Sequence, residues 1–285
     1  MSDRQEDTEI SSLLKNIYQC ADRSRWYDSV AEAYDRTRPR YPAKILSLMQ
    51  EKARLQPHKS VLEVGAGPGI ASLELAKFGA DLVCIEPSLS ACELARRKCA
   101  AYSNVEFVNS TFEAWSGDPS GYAERNRKFD IVVAATSFHW ISPEIRNAKT
   151  AAVLKDNGLL ILLWNTPPQL SYEAFQSLKG VYQEYAPELA QYETYQNYRQ
   201  NLSKIGAEVI ESGYFKDLTI RELISNVTYS IDDYLTLLST LSLYIRLQSE
   251  QRHALFAELK RVLKLNFSNN LDLDYLSLLQ IARKI

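Results

Sequence analysis

Between residues 60 and 165 one alternation repeats: short apolar runs separated by stretches of helical length. The runs SVLEVG (60–65), DLVCIEP (81–87), VEFVNS (105–110), FDIVVAATS (129–137) and LLILLWN (159–165) read as strands. A strand apolar at nearly every position is covered on both faces, and parallel neighbours need a crossover long enough to hold a helix. IASLELAKFG (70–79), SLSACELARRKCAA (88–101) and PEIRNAKTAAVLKDNG (143–158) supply such crossovers, the last expected to stay helical as far as Gly158. The pattern defines an α/β protein with a doubly wound, Rossmann-like sheet. After TPPQL (166–170) two helical stretches follow, about 171–186 and 188–206, then a strand over 215–230. Helices over 231–247 and 249–263 and a final strand over 273–284 complete the chain. This makes a seven-stranded sheet, mostly parallel with the last strand antiparallel, plus a helical cap.

The turn after the first strand reads VLEVGAGPGI (61–70). Glycines there let a ligand lie against bare backbone, at the carboxyl edge where open α/β sheets bind ligands. Dinucleotide sites favour G-x-G-x-x-G with the pyrophosphate on the helix N-terminus. Here Gly65, Gly67 and Gly69 form G-x-G-x-G, Ile70 takes the sixth position, and Pro68 removes a backbone donor. Glu63 would set negative charge beside the phosphates. A ligand with a cationic head and no phosphate fits better, and S-adenosyl-L-methionine is one, with a sulfonium and an amino group.

At LEVGAGPG the chain resembles the class I S-adenosylmethionine-dependent methyltransferases. The resemblance implies that Glu63, Gly65, Ala66, Gly67 and Gly69 cradle the cofactor. It implies that Glu86 accepts hydrogen bonds from the ribose hydroxyls, with Pro87 beside it. Thr111, Phe112 and Glu113 fall on the family's adenine-contacting turn, where many relatives carry an aspartate at the place of Thr111. Ala135 ends the fourth strand, which faces the transferred methyl group. YDSVAEAYDRTRPRYP (27–42), SFHWI, LLWN and TLSLY together resemble the trans-aconitate methyltransferase-like branch. That branch implies an N-terminal lid (1–42), a cofactor-binding α/β core (43–167), a helical cap insert (168–206) and a C-terminal completion of the sheet (207–285). His139, Tyr34 and Arg38 become candidate catalytic residues, and Tyr27, Trp140 and Tyr244 candidate substrate contacts. Tyr41 reads as part of a helix face.

The implied reaction is methyl transfer to a small-molecule carboxylate, hydroxyl or carbon. A non-catalytic S-adenosylmethionine-binding or regulatory protein, and a nicotinamide-dependent oxidoreductase, stay open as alternatives. The net charge of −2 gives no sign of a nucleic-acid-binding surface. No apolar run is long enough to cross a bilayer, and the polar, acidic start MSDRQEDTEI is unlike a secretory signal. Cys20, Cys84, Cys92 and Cys99 lack CxxC spacing, so no metal site is expected and reduced cysteines in a cytoplasmic protein are. Oligomeric state is not legible.

Overall fold

The computed structural model describes residues 28–116 and 127–285; Tyr27 and Cys20 lie outside the described residues. Strands β1 (Ser60–Val64), β2 (Asp81–Ile85), β3 (Val105–Val108), β4 (Phe129–Ala135), β5 (Leu154–Asn165), β6 (Phe215–Ser230) and β7 (Asn270–Lys284) form one sheet. Their order is β3-β2-β1-β4-β5-β7-β6. β7 runs antiparallel to both neighbours; the first five strands are parallel. The chain reverses direction across the sheet between β1 and β4, so a ligand crevice opens at their carboxyl ends.

Two apolar layers enclose the sheet. On one face α2 (Ala43–Ala53), α3 (Ile70–Lys77) and α4 (Leu89–Lys98) set Ile45, Met49, Leu75 and Ala95 against Val61, Cys84 and Ile131. On the other, α5 (Pro143–Val153) and α7 (Tyr195–Glu211) set Ala151 and Val209 against Leu62, Val132 and Leu160. Each fully buried aliphatic side chain there contributes about 1.5–3 kcal/mol. Local sequence starts the helices. Ser88 caps α4 by accepting from the Ala91 N–H at 3.2 Å, and Arg96, Arg97 and Lys98 in its last turn face the negative end of the helix dipole. Thr194 caps α7 in the same way.

The crossover from β4 to β5 departs from expectation. Its helix stops at Val153 instead of running to Gly158. Leu154 is fully buried and pairs with Phe129 of β4, so tertiary pairing overrides helix propensity. Asn157 then takes φ +61°. A Cβ at Gly158 would lie 2.9 Å from the Lys155 carbonyl, which is why glycine stands there.

The cap also differs from a contiguous 168–206 insert. α6 (Tyr172–Tyr185) packs with α8 (Ile231–Ser239), α9 (Ser242–Ile245), α10 (Ser249–Asn266) and the distal ends of β6 and β7. Leu178, Leu238, Leu255 and Leu271 fill this third cluster. α7, in contrast, belongs to the sheet: Leu202, Ile205 and Val209 form one helical stripe against it. The run expected as one helix over 231–247 breaks after Ser239, where the Thr240 hydroxyl bonds back to the Leu237 carbonyl at 2.7 Å.

Candidate functional site

The glycine turn is tied to β2 by backbone alone: the Gly65 and Ala66 N–H groups donate to the Ile85 carbonyl at 2.8 and 3.1 Å. All three glycines have positive φ. A side chain at Gly65 would strike Ser137, with a Cβ–Cβ approach of 2.5 Å, and one at Gly69 would press on Ala95 of α4. Nothing lies within 4 Å of where a Cβ on Gly67 would be. The first and third glycines therefore serve packing, and the middle one borders open space.

Glu86 closes the loop from the next strand. Its two carboxylate oxygens accept the Gly67 N–H at 2.7 Å and the Ser88 N–H at 2.8 Å. Burial lifts its carboxyl to about 7, although both hydrogen bonds favour the ionised form. Glu63 is fully buried within β1. Its Oε2 accepts from the Ser72 hydroxyl at 2.5 Å and the Cys84 thiol at 3.4 Å, and its Oε1 has no partner. Burial raises this carboxyl to about 7 as well.

Residues 28–42, including α1 (Ala31–Thr37), cross the carboxyl edge and are fastened along their length. Asp28 accepts from the Ser88 hydroxyl at 2.5 Å. Lys98 joins Asp35 at 2.6 Å and the Pro68 carbonyl at 2.9 Å. Asn165, at the end of β5, donates to the Pro39 carbonyl at 3.2 Å. The Tyr275 hydroxyl donates to the Arg40 carbonyl at 3.2 Å, and the Tyr229 hydroxyl donates to that of Thr37. Tyr41 shares a 3.0 Å hydrogen bond with Thr136, which holds φ +57° just past β4. Tyr34, Arg38, Tyr41, Ile70, Thr136 and Asn165 line a narrow, partly enclosed cleft.

Arg38 is the cation of this cleft. Its guanidinium lies 4.5 Å from the Tyr34 ring centroid, a cation–π distance, and its Nε is buried without a partner. Asp35 of the same segment is already joined to Arg40 and Lys98.

The expected residues divide. Glu63, Gly65, Ala66, Gly67, Gly69, Glu86 and Pro87 surround the loop, and Ala135 ends β4 next to Thr136. Tyr34 and Arg38 line the cleft. His139 does not line it. It sits in a 3-10 turn (Phe138–Trp140) with ring centroids 5.2 Å from Trp140 and 5.5 Å from Trp164. Burial, then Arg146, pushes its pKa down to about 4, which makes it a weak base. Phe112 turns inward: it is 3% exposed and stacks on Trp115 at 6.4 Å, so its ring packs in the core. Thr111 accepts from the Ala114 N–H, and Glu113 from the Ser142 N–H; both hold turns. Tyr244 is buried in the cap, its hydroxyl 2.8 Å from that of Tyr182, and it does not line the cleft. Tyr41, Thr136 and Asn165 join the site without having been singled out for it. A left-handed threonine leaves no sequence signal, and Tyr41 looked like any helix-face tyrosine.

Residues 61–158 match the family described as methyltransferase domain. An uncharacterised methyltransferase of Mycobacterium tuberculosis is 30% identical over 145 residues, covering 51% of this chain and 54% of that protein. The chain thus spans about half the length of that relative. An uncharacterised methyltransferase of Schizosaccharomyces pombe is 24% identical over 81% of this chain and 84% of its own. A proposed type II methyltransferase of Anaeromyxobacter dehalogenans shares the fold with TM-score 0.57 at 18% identity, over 86% of this chain and 97% of that one. Haemonchus contortus phosphoethanolamine N-methyltransferase 2, solved with S-adenosylhomocysteine and phosphomonomethylethanolamine, shares it with TM-score 0.51 at 15% identity, over 94% and 60%.

Sheet order, glycine turn and domain match together make the α/β core a class I S-adenosylmethionine-dependent methyltransferase domain. S-adenosylmethionine is its cofactor, and the open backbone at Gly67 and the buried acidic Glu63, whose Oε1 has no partner, fit a cationic ligand. The trans-aconitate-like branch finds no support among these relatives.

Proposed function

We propose that the chain methylates a small molecule bearing an anionic group, held in the cleft by Arg38. The observation that carries this is the guanidinium itself: it stacks on Tyr34, borders the cleft and has a buried Nε with no acceptor. A buried N–H without an acceptor is costly, and a carboxylate or similar group supplies acceptors in a fork that arginine matches.

Bound S-adenosylmethionine supplies an activated methyl group on its sulfonium. Glu86 is positioned to exchange its hold on the Gly67 and Ser88 N–H groups for the ribose hydroxyls. Tyr41 and Thr136 fix the wall past β4, and residues 28–42 exclude water above it. Orientation alone can supply roughly 7–11 kcal/mol of rate enhancement. An ionised acceptor needs no base, which agrees with a His139 too weakly basic to serve as one. Tyr34, across the guanidinium, aligns Arg38. The net charge of −2 favours a small acceptor over nucleic acid. Cys84, Cys92 and Cys99, all free and buried, suit a reducing compartment and support a cytoplasmic location. No helix among the described residues is long and apolar enough to cross a membrane.

The test is turnover of S-adenosylmethionine on a panel of carboxylates and their neutral amides or esters, with wild type, Arg38→Lys and Arg38→Ala. Carboxylates alone should be methylated. Arg38→Ala should raise KM for them by tenfold or more, about 1.5–3 kcal/mol for a charged hydrogen bond, with Arg38→Lys intermediate. Equal turnover of neutral acceptors would refute the anionic class, and no turnover with tight cofactor binding would favour a non-catalytic binding protein.

A further inference from the structure

Thr136 holds a backbone that β-branched residues avoid. Its φ of +57° lies in the left-handed region, an outlier for such a side chain, and outliers of this kind gather where ligands are gripped. Its neighbours fix it there. The Thr136 N–H donates to the Leu163 carbonyl at 2.7 Å. Its Oγ1 accepts the Asn165 N–H at 3.2 Å and lies 3.0 Å from the Tyr41 hydroxyl. Tyr41 is buried. Burial pushes its phenol up from the ordinary value, so it keeps its proton and serves in hydrogen bonds, not as a base.

One hydroxyl proton of this pair is left over. Each hydroxyl carries one proton and can accept as well as donate. The Tyr41–Thr136 bond uses one of the two protons, whichever residue donates, and the Asn165 bond brings its own. No acceptor among the described residues takes the second. Both side chains line the cleft that Arg38 borders, and the buried Arg38 Nε–H has no acceptor either. The cleft therefore carries two donors without acceptors, one charged and one neutral.

Resting on the anionic-acceptor reading above, we propose that the Tyr41–Thr136 hydroxyl pair sets specificity for that anion. The pair donates its spare proton to one oxygen of the anion while Arg38 serves another, so the anion must offer two oxygens, as a carboxylate does. A halide or thiolate, with one charged atom, serves the guanidinium and leaves the hydroxyl without an acceptor. A site built to make a hydrogen bond rejects a ligand that cannot complete it. The pair has a signature in mutants. In Tyr41→Phe the Thr136 hydroxyl keeps its proton, and in Thr136→Gly the Tyr41 hydroxyl keeps its own. One donor survives each change, and only the double variant has none. Glycine takes the left-handed backbone without strain, so Thr136→Gly removes the hydroxyl and keeps the turn.

The test is methyl transfer to the carboxylate panel by wild type, both single variants, the double variant and Tyr41→Phe/Thr136→Ser, with S-adenosylhomocysteine titrated into each. KM for carboxylates should rise by about threefold or less in each single variant and by about tenfold or more in the double, beyond the product of the singles. Tyr41→Phe/Thr136→Ser should return to the Tyr41→Phe value, and the affinity for S-adenosylhomocysteine should stay within about twofold throughout. In wild type, acetate should compete with the acceptor at least about tenfold better than chloride at equal ionic strength, and the double variant should lose that preference. Merely multiplicative losses, equal competition by the two anions, or a matching loss of S-adenosylhomocysteine affinity would each overturn the proposal. Turnover that depends on Arg38 but is untouched in the double variant would overturn this inference alone. Wild-type turnover of no carboxylate would overturn the anionic-acceptor reading and the inference with it.

Discussion

The glycine turn and the cleft beside Ile70 are built by different means. The turn around Gly65–Gly69 follows the first strand directly and is held through its backbone N–H groups: Gly65 and Ala66 donate to the Ile85 carbonyl, and Gly67 donates to the Glu86 carboxylate. The cleft is gathered from remote segments. Arg38 and Tyr41 come from before the first strand, Thr136 from the end of β4 and Asn165 from the end of β5, and they are held by side chains. A turn of this kind writes its geometry into residue type, because positive φ combined with the close approaches at Gly65 and Gly69 favours glycine. A cleft of convergent side chains does not.

Breaking the turn should have the largest effect. Gly67→Val places a branched side chain into the open space over the loop, at φ +56°. S-adenosylhomocysteine binding should be lost while circular dichroism still reports a folded sheet; unchanged affinity would show that the open backbone is not the cradle. Glu86→Ala should be the next most severe. It removes the ribose acceptor and also the bonds to Gly67 and Ser88, and loss of a charged acceptor costs about 1.5–3 kcal/mol. A dissociation constant within about twofold of wild type, well under 1 kcal/mol, would exclude that role.

The same contrast explains what could be read from sequence. The doubly wound core and the glycine turn were legible because apolar runs and glycines are forced there. The side-chain direction of His139 was not, because a position just past β4 says nothing about which way a 3-10 turn points. It points toward Trp164 and Arg146. Nor was the direction of Phe112, which the turn after β3 buries on Trp115. Tyr244 lay in a run that looked like one helix; the break after Ser239 aims it at Tyr182. The composite cap was hidden because α6 finds its partners in helices more than forty residues later in the chain, across β6.

Smaller effects sharpen the comparison. Empty protein should lose stability as pH rises. Glu63 and Glu86 move from the ordinary carboxyl value of 4.5 up to about 7, so the fold holds more protons than the unfolded chain between those values. Their contribution is complete below about 4.5 and is lost through about 7. His139, moved from 6.5 down to about 4, acts with the opposite sign over that lower window. Thermal melts of wild type and Glu63→Gln from pH 5.5 to 8 should show a shallower decline in the variant; parallel curves would contradict a protonated Glu63. Tyr244→Phe should cost about 1 kcal/mol of stability for a lost buried hydrogen bond and leave acceptor KM unchanged. A raised KM would return Tyr244 to the acceptor site.

The central claim is that the glycine turn receives a phosphate-free cationic cofactor and not a dinucleotide. Parallel calorimetric titrations of the wild-type chain with S-adenosylhomocysteine and with NADH test it most directly. Saturable one-to-one binding of S-adenosylhomocysteine and none of NADH is the predicted result; binding of NADH without S-adenosylhomocysteine would contradict it.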